Sequence, residues 1–175
     1  MKMTITLTGE TTVESIREAI RKGTLEKGSI LEFGDQAWKV LDVDVVEDKA
    51  LIFRVKGSTV YMAFNENGSN EYEGSDIQKY LQGEFVATLP EELKELAKGN
   101  GDAFLLSLEE VEKYMPREID RIVHNEQGET EWWWTRSAYR GRASGSWGVN
   151  SSGYVYNYYA GTAHRFAPAC GLWIS

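Results

Sequence analysis

Residues 132–175 read WWWTRSAYRGRASGSWGVNSSGYVYNYYAGTAHRFAPACGLWIS, and the fold turns on how that stretch divides between core and surface. It contains no Asp, Glu or Lys, although the chain carries 27 acidic residues. Its charges are Arg136, Arg140, Arg142 and Arg165, with His164 beside the last of them. Five of the six Trp and five of the nine Tyr fall inside it, set among Gly, Ser, Ala, Asn and Thr. Tyr, Trp and Arg spaced by small polar residues is the composition of a recognition surface such as an antibody loop.

Two interleaved sets can be read from the stretch. Val149, Val155, Ala160, Ala163 and Phe166 are placed to face a core, with Gly153 at a hairpin turn. At least two of Trp132, Trp133 and Trp134 are expected to anchor the region to a sheet. Arg136 and Arg165 are expected to hydrogen-bond irregular backbone carbonyls, which suits a buried guanidinium. Between them lie Asn150, Ser151, Ser152, Tyr154, Tyr156, Asn157, Tyr158, Tyr159, Thr162 and His164. The tyrosines at 156–159 come too densely for alternate residues all to be buried. The expectation is a short hairpin with one face inside and one face presenting Tyr154, Tyr156, Tyr158 and Tyr159 to solvent. The plainer alternative is that these tyrosines are only good strand formers with wet hydroxyls.

Outside this stretch the chain reads as one domain over 1–175. Residues 3–7 alternate as a strand, and Thr11 to Glu14 opens a short helix over 12–22 that Gly23 stops. Strands follow at 30–33, 37–46 and 50–55, then 60–64, with Trp38, Val40, Leu41, Val43 and Val45 on one apolar face. The segment NENGSNEYEG, 65–74, reads as a loop. Ser75 with Gln78 caps a second helix burying Ile77, Tyr80, Leu81 and Phe85. Pro90 opens another, running to Gly99, and Ser107 with Glu110 caps a last short one ending by Pro116. Between these two lies a strand at 103–106, and 117–131 is a charged connection. The fold class is α+β, helices set around a small antiparallel sheet.

Composition narrows function. Residues 1–131 hold 15 basic and 27 acidic side chains and residues 132–175 four basic and none acidic, so the two parts balance at −12 and +4. An acidic body argues against a nucleic-acid partner, since phosphate affinity comes from clustered Lys and Arg. No apolar run approaches the roughly 20 residues of a membrane helix, and the N-terminus lacks the apolar segment of a secretory signal. Cys170 is the sole cysteine, so neither an internal disulfide nor a cysteine-rich metal site is expected.

The segments WWWTRSA and SWGVNSSGYVYNYYAGTAHRFAPAC resemble the C-terminal variable region of proteins diversified by retroelements. In that family a reverse transcriptase rewrites the region with errors at adenines, which scatters Asn codons into Tyr, His, Ser, Thr, Gly, Arg and Asp. Those types, aspartate aside, occupy Tyr139, Arg140, Gly141, Arg142, Gly148, Ser152, Tyr154, Tyr156, Asn157, Tyr158, Tyr159, Gly161, Thr162 and His164. Trp147, Val149, Val155, Ala160, Ala163, Arg165, Phe166 and Pro168 would be the fixed scaffold. The body matches only through the W-R-S entry and Gly34-Asp35-x-x-Trp38-x-Val40. The resemblance implies a C-type lectin-like fold, shared with formylglycine-generating enzymes, whose irregular C-terminal half (132–175) offers a ligand-binding face.

Enzymatic alternatives fit poorly. Formylglycine-generating chemistry resembles an oxidation at paired cysteines binding copper, and Cys170 stands alone. His124 and His164 lack a metal-ligand spacing, and His124 reads as a surface loop residue. A calcium site among the display residues is not expected without carboxylates. Glu91-Glu92 and Glu109-Glu110 sit in first helical turns, where they complement the helix dipole. The expectation is a non-enzymatic binding protein needing no metal or cofactor. Tyr139, Arg140, Arg142, Ser152, Tyr154, Tyr156, Asn157, Tyr158, Tyr159, Thr162 and His164 would contact a protein or glycan on a target surface. The alternative is a structural or assembly module of a phage or cell-surface particle.

Overall fold

The computed structural model describes residues 4–6, 10–58, 60–163 and 165–175. Strand β1 (Thr4–Thr6) leads to helix α1 (Glu10–Arg21). Met3 and Leu7, the ends of the expected first strand, lie outside the described residues. Thr11 falls inside α1 rather than capping it, because the helix begins at Glu10. Val13, Ile16 and Ile20 bury the inner stripe of α1, and Gly23 ends it at φ +67°, the left-handed conformation a helix stop favours.

The meander forms as expected: β2 (Ile30–Phe33), β3 (Gln36–Asp44) and β4 (Lys49–Ser58) pair antiparallel, and β1 adds parallel to β2. The register of β3 on β4 slips between Val40 and Asp42. A slip of this kind breaks the two-residue alternation. Before the slip ordinary alternation puts Val40 with Trp38 against the helices and Leu41 on the opposite face with Leu51 and Phe53; past it Val43 returns to the Trp38 side. Leu41 is thus not on the face of Trp38, and Val45, beyond the paired part of β3, is exposed.

Helices α2 (Asp76–Gln82), α3 (Glu84–Ala87) and α4 (Glu91–Ala97) cover the first face with Ile77, Leu81, Phe85, Leu93 and Leu96. Ser75 caps α2 through the Gln78 N–H, but the Gln78 side chain turns to the Gly74 N–H instead of completing the box. The box at α5 (Leu108–Tyr114) is complete, Ser107 and Glu110 each accepting the other's backbone N–H. Glu91, Glu92, Glu109 and Glu110 occupy first turns as expected.

Two expected strands are absent as such. Residues 60–64 run without strand pairing, held by the Met62 N–H on the Phe166 carbonyl. Residues 103–106 make only a single bridge, Phe104 with Gly171. Conversely, the supposed connection 117–131 contains a 3-10 turn (Glu118–Arg121), strand β5 (Val123–Asn125) and the start of β6 (Thr130–Ala138). His124 lies on β5 opposite Lys56, not in a loop.

Strand β6 joins two sections of sheet. Its first residues pair with β5; from Trp133 on it pairs with β7 (Gly145–Val149), which pairs with β8 (Val155–Tyr159). A two-residue strand β9 (Phe166–Ala167) lies parallel to Trp132 and Trp133. The last strand, β10 (Gly171–Ile174), returns to the body and pairs with β4 at Ala50 to Phe53. The architecture is α+β with a mostly antiparallel sheet and helices packed against it. Among the described residues no helix is long and apolar enough to cross a membrane.

Candidate functional site

The region 132–175 is anchored by its tryptophans. Strand alternation sends Trp133 to one side of β6 and Trp132 and Trp134 to the other. Trp133 is fully buried 4.9 Å from Phe53, its indole N–H on the Arg121 carbonyl at 3.0 Å. Trp134 is fully buried in a parallel stack 3.8 Å from Phe166, with its N–H on the Met62 carbonyl. Trp132 is half-buried, edge-on to Phe166 at 5.7 Å. Val149, Ala160, Phe166 and Pro168 are buried, and Val155 is half-buried on the side of Leu41, Leu51 and Phe53.

Two scaffold residues stand elsewhere. Ala163 is exposed, beyond the turn that follows β8 at Ala160 and Gly161. Arg165 is exposed too, its guanidinium 5.2 Å over the Trp132 ring rather than on backbone carbonyls. Arg136 does what was expected of a buried guanidinium: Nη1 donates to the Leu105 carbonyl at 2.7 Å and pairs with Glu110.

The display residues gather on the β7–β8 hairpin and the loop before it. The turn is fixed by Asn150, whose Oδ1 accepts from the Ser152 and Tyr154 N–H groups, and by Gly153 at φ +87°. A Cβ at Gly153 would collide with the Glu118 carbonyl, so only glycine closes this turn. Tyr154, Tyr156 and Tyr159 are 60%, 61% and 51% exposed, and Ser152 is exposed. Arg140 and Arg142 are exposed, and Arg142 Nη2 donates to Asn157 Oδ1 at 3.4 Å. Tyr139 is half-buried, edge-on to Trp147 at 5.4 Å. Thr162 is half-buried, its N–H on the Tyr159 carbonyl. His164 lies outside the described residues. A shallow cleft of about 520 Å³ opens beside the loop, lined by Tyr139, Arg140, Trp147 and Glu109 among others.

The four tyrosines do not share one face. Successive strand residues point to opposite sides, so Tyr156 and Tyr158 lie on one side of β8, and Asn157 and Tyr159 on the other. Tyr158 is half-buried, 5.0 Å from Trp132 and 5.3 Å from Phe166. Burial is the main reason its hydroxyl ionises above the ordinary tyrosine range. Tyr158 thus bridges scaffold and display.

Positioning residues from the body were not legible in the sequence. Asn70, in the polar loop 65–74, donates its side-chain N–H groups to the carbonyls of Tyr139, Arg142 and Gly145, the last at 2.8 Å. Its backbone N–H holds Ala143. Nothing distinguishes Asn70 from its neighbours in NENGSNEYEG. Glu131, at the root of β6, is 3% exposed, and its Oε1 has no hydrogen-bond partner among the described residues. Burial pushes its carboxyl up to about 7, against the milder opposing pull of a hydrogen bond from Tyr61 and the charge of Arg54.

No protein-family model, curated protein or solved structure matches the chain. What the site can do follows from its own groups. It offers aromatic surface, guanidinium charge and small polar contacts, with no carboxylate from 132 onward. Among the described residues no cluster of three or more His, Cys, Asp or Glu could hold a metal ion. Cys170 is fully buried and its thiol pushed up to about 12, which removes it from nucleophilic chemistry near neutral pH.

Proposed function

We propose that the chain is a non-enzymatic recognition protein of C-type lectin-like fold, whose 132–175 region is diversified by a retroelement and binds a protein or glycan on a target surface. The observation that carries the reading is the majority exposure of Tyr154, Tyr156 and Tyr159 on a hairpin whose backbone is pinned by buried Trp133, Trp134 and Phe166. Exposed aromatic rings cost solvation and recur where a partner covers them. Tyrosine supplies rigid amphipathic area at low entropic cost, and the arginines add charge and stacking contacts. A helix-flanked sheet followed by a Trp-anchored region that ends by rejoining that sheet supports the lectin-like reading.

The partition of side chains also suits diversification. The scaffold positions Val149, Ala160, Phe166 and Pro168 are buried, and most of the display positions are open or half-open. Exposed positions such as Tyr154 and Tyr156 change stability by about 0.5 kcal/mol or less when replaced. Sequencing the flanking DNA tests this. The expected result is a near-copy of the 3′ end beside a reverse-transcriptase gene, differing chiefly at adenines. Mismatches spread evenly over the four bases, or no copy at all, would sink the diversification reading.

A further inference from the structure

We propose that the open edge of β8 takes up an extended, acidic segment of a protein ligand as an additional strand. The proposal rests on the recognition reading above and specifies its mode and ligand chemistry.

The edge follows from the hydrogen-bond phase of the hairpin. In an antiparallel pair, opposed residues alternate between those bonded to each other and those whose N–H and C=O point outward. The Asn150 N–H bonds the Tyr154 carbonyl, and the Ala160 N–H bonds the Ser144 carbonyl. With the unbroken register of Gly145 on Tyr159 through Val149 on Val155, this makes Tyr156 and Tyr158 the inward residues. The Tyr139 N–H on the Gly145 carbonyl agrees, since it turns Gly145 toward β6 and away from Tyr159. Val155, Asn157 and Tyr159 therefore aim their backbone groups away from β7. The Tyr159 carbonyl is taken by Thr162. Among the described residues nothing takes the N–H or C=O of Val155 or Asn157, and β8 ends the order of strands.

Exposed edges are ordinarily blunted by Lys, Pro, bulges or inward charges. The segment VYNYY has none of these. It offers a short, regular, uncharged edge of the kind that accepts a peptide strand, main-chain bonds giving affinity and alternate side chains giving specificity. Tyr156 would line one side of the added strand, and Asn157 and Tyr159 the other.

Charge selects the occupant. Arg142 stands beside Asn157, Arg140 is exposed in the loop before β7, and Arg165 is exposed over Trp132. Glu109 of the body shares the cleft of Arg140, but no acidic residue of 132–175 offsets Arg142 and Arg165, the two that flank β8 through Asn157 and Trp132. A second copy of the chain fits badly, because two-fold pairing about Asn157 would bring two Arg142 guanidinium groups together.

The probe is a capped peptide of alternating threonine and glutamate, about eight residues long, titrated into the isotopically labelled full chain with amide exchange followed by NMR. Exchange of the Val155 and Asn157 N–H groups should slow at least about tenfold at saturation, while Tyr156 and Tyr158, already bonded to β7, stay unchanged. Asn157→Pro removes the outward N–H without touching the β7 ladder, a position where edge strands tolerate proline. It should abolish the protection and weaken binding more than about tenfold, whereas Asn157→Ala, which keeps the N–H and loses only the side-chain contact, should keep the protection. Binding without protection at Asn157 would overturn the added strand and leave the recognition reading standing. Equal binding of the lysine-for-glutamate peptide, or no binding at millimolar peptide, would overturn the acidic segment. A dimer that Asn157→Pro dissolves would make the occupant a second copy and overturn the proposal. Undiminished binding with full Asn157 protection in the triple variant Tyr154→Ser/Tyr156→Ser/Tyr159→Ser would keep the edge and discard the tyrosine surface.

Discussion

Replacing Tyr158 by serine separates scaffold from display more sharply than any other substitution. Its ring stands 5.0 Å from Trp132, 5.3 Å from Phe166 and 6.5 Å from Trp134, each pair in an edge-on arrangement. Pairs of this geometry contribute about 0.5–1.5 kcal/mol each beyond their buried area. They are not additive, and the ring is only half-buried, so the expected loss for Tyr158→Ser is about 2 kcal/mol. For a chain of this length that lowers Tm by roughly 4–8 °C. Tyr156→Ser is the control: its ring is 61% exposed, with Tyr158 its sole aromatic neighbour among the described residues, at 5.7 Å. Its loss should stay near 0.5 kcal/mol, roughly 1–2 °C. Urea and thermal unfolding followed by circular dichroism read both. Equal losses, or a Tyr158→Ser loss below about 0.5 kcal/mol, would refute the bridging role, since the four tyrosines would then be energetically alike.

Three further outcomes are expected. Gly153→Ala should destabilise by about 2 kcal/mol or more in urea unfolding, combining a left-handed φ with a collision against Glu118; a neutral effect would mean the turn can rebuild. Glu131 carries a raised folded pKa, so the folded chain binds the extra proton and stability should fall as pH rises from about 4.5 to about 7. Glu131→Gln should be near neutral at pH 4.5 and gain up to about 3 kcal/mol over the parent by pH 8, and an unchanged difference across that range would contradict the burial argument. Cys170, buried and with its thiol pushed up to about 12, should resist iodoacetamide in the native protein and react on unfolding; prompt native labelling, read by mass spectrometry, would contradict its burial.

Strong local signals carried the sequence reading where it succeeded. Alternation with turn residues located β2, β3 and β4, and Ser107 with Glu110 located the start of α5 within a residue. The reading failed where tertiary pairing, not local pattern, decides. Residues 60–64 and 103–106 are apolar enough for strands, but the Met62 N–H bonds a carbonyl of 132–175 and Phe104 bridges Gly171, so neither joins a ladder. Strand β5 was invisible because VHN is three residues long and owes its pairing to β4 and β6. In the candidate site, composition separated Trp133 and Phe166 from Tyr154 and Tyr156. It could not separate Tyr158 from Tyr156, since both lie on the same side of β8 and only tertiary packing on Trp132, Phe166 and Trp134 buries one of them.

The return of β10 to β4 makes the sheet depend on residues translated after the β7–β8 hairpin. Every codon from 132 to 167 is read by the ribosome before those of Leu172 and Ile174, which are buried in the core beside β4. A copy carrying a premature stop or a shifted reading frame anywhere in that span lacks the strand that covers Ala50 to Phe53. It leaves Leu51, Ile52 and Phe53 on an open strand, and such a chain is a substrate for aggregation or proteolysis. Strand β10 thus ties the covering of β4 to translation in frame through the β7–β8 hairpin.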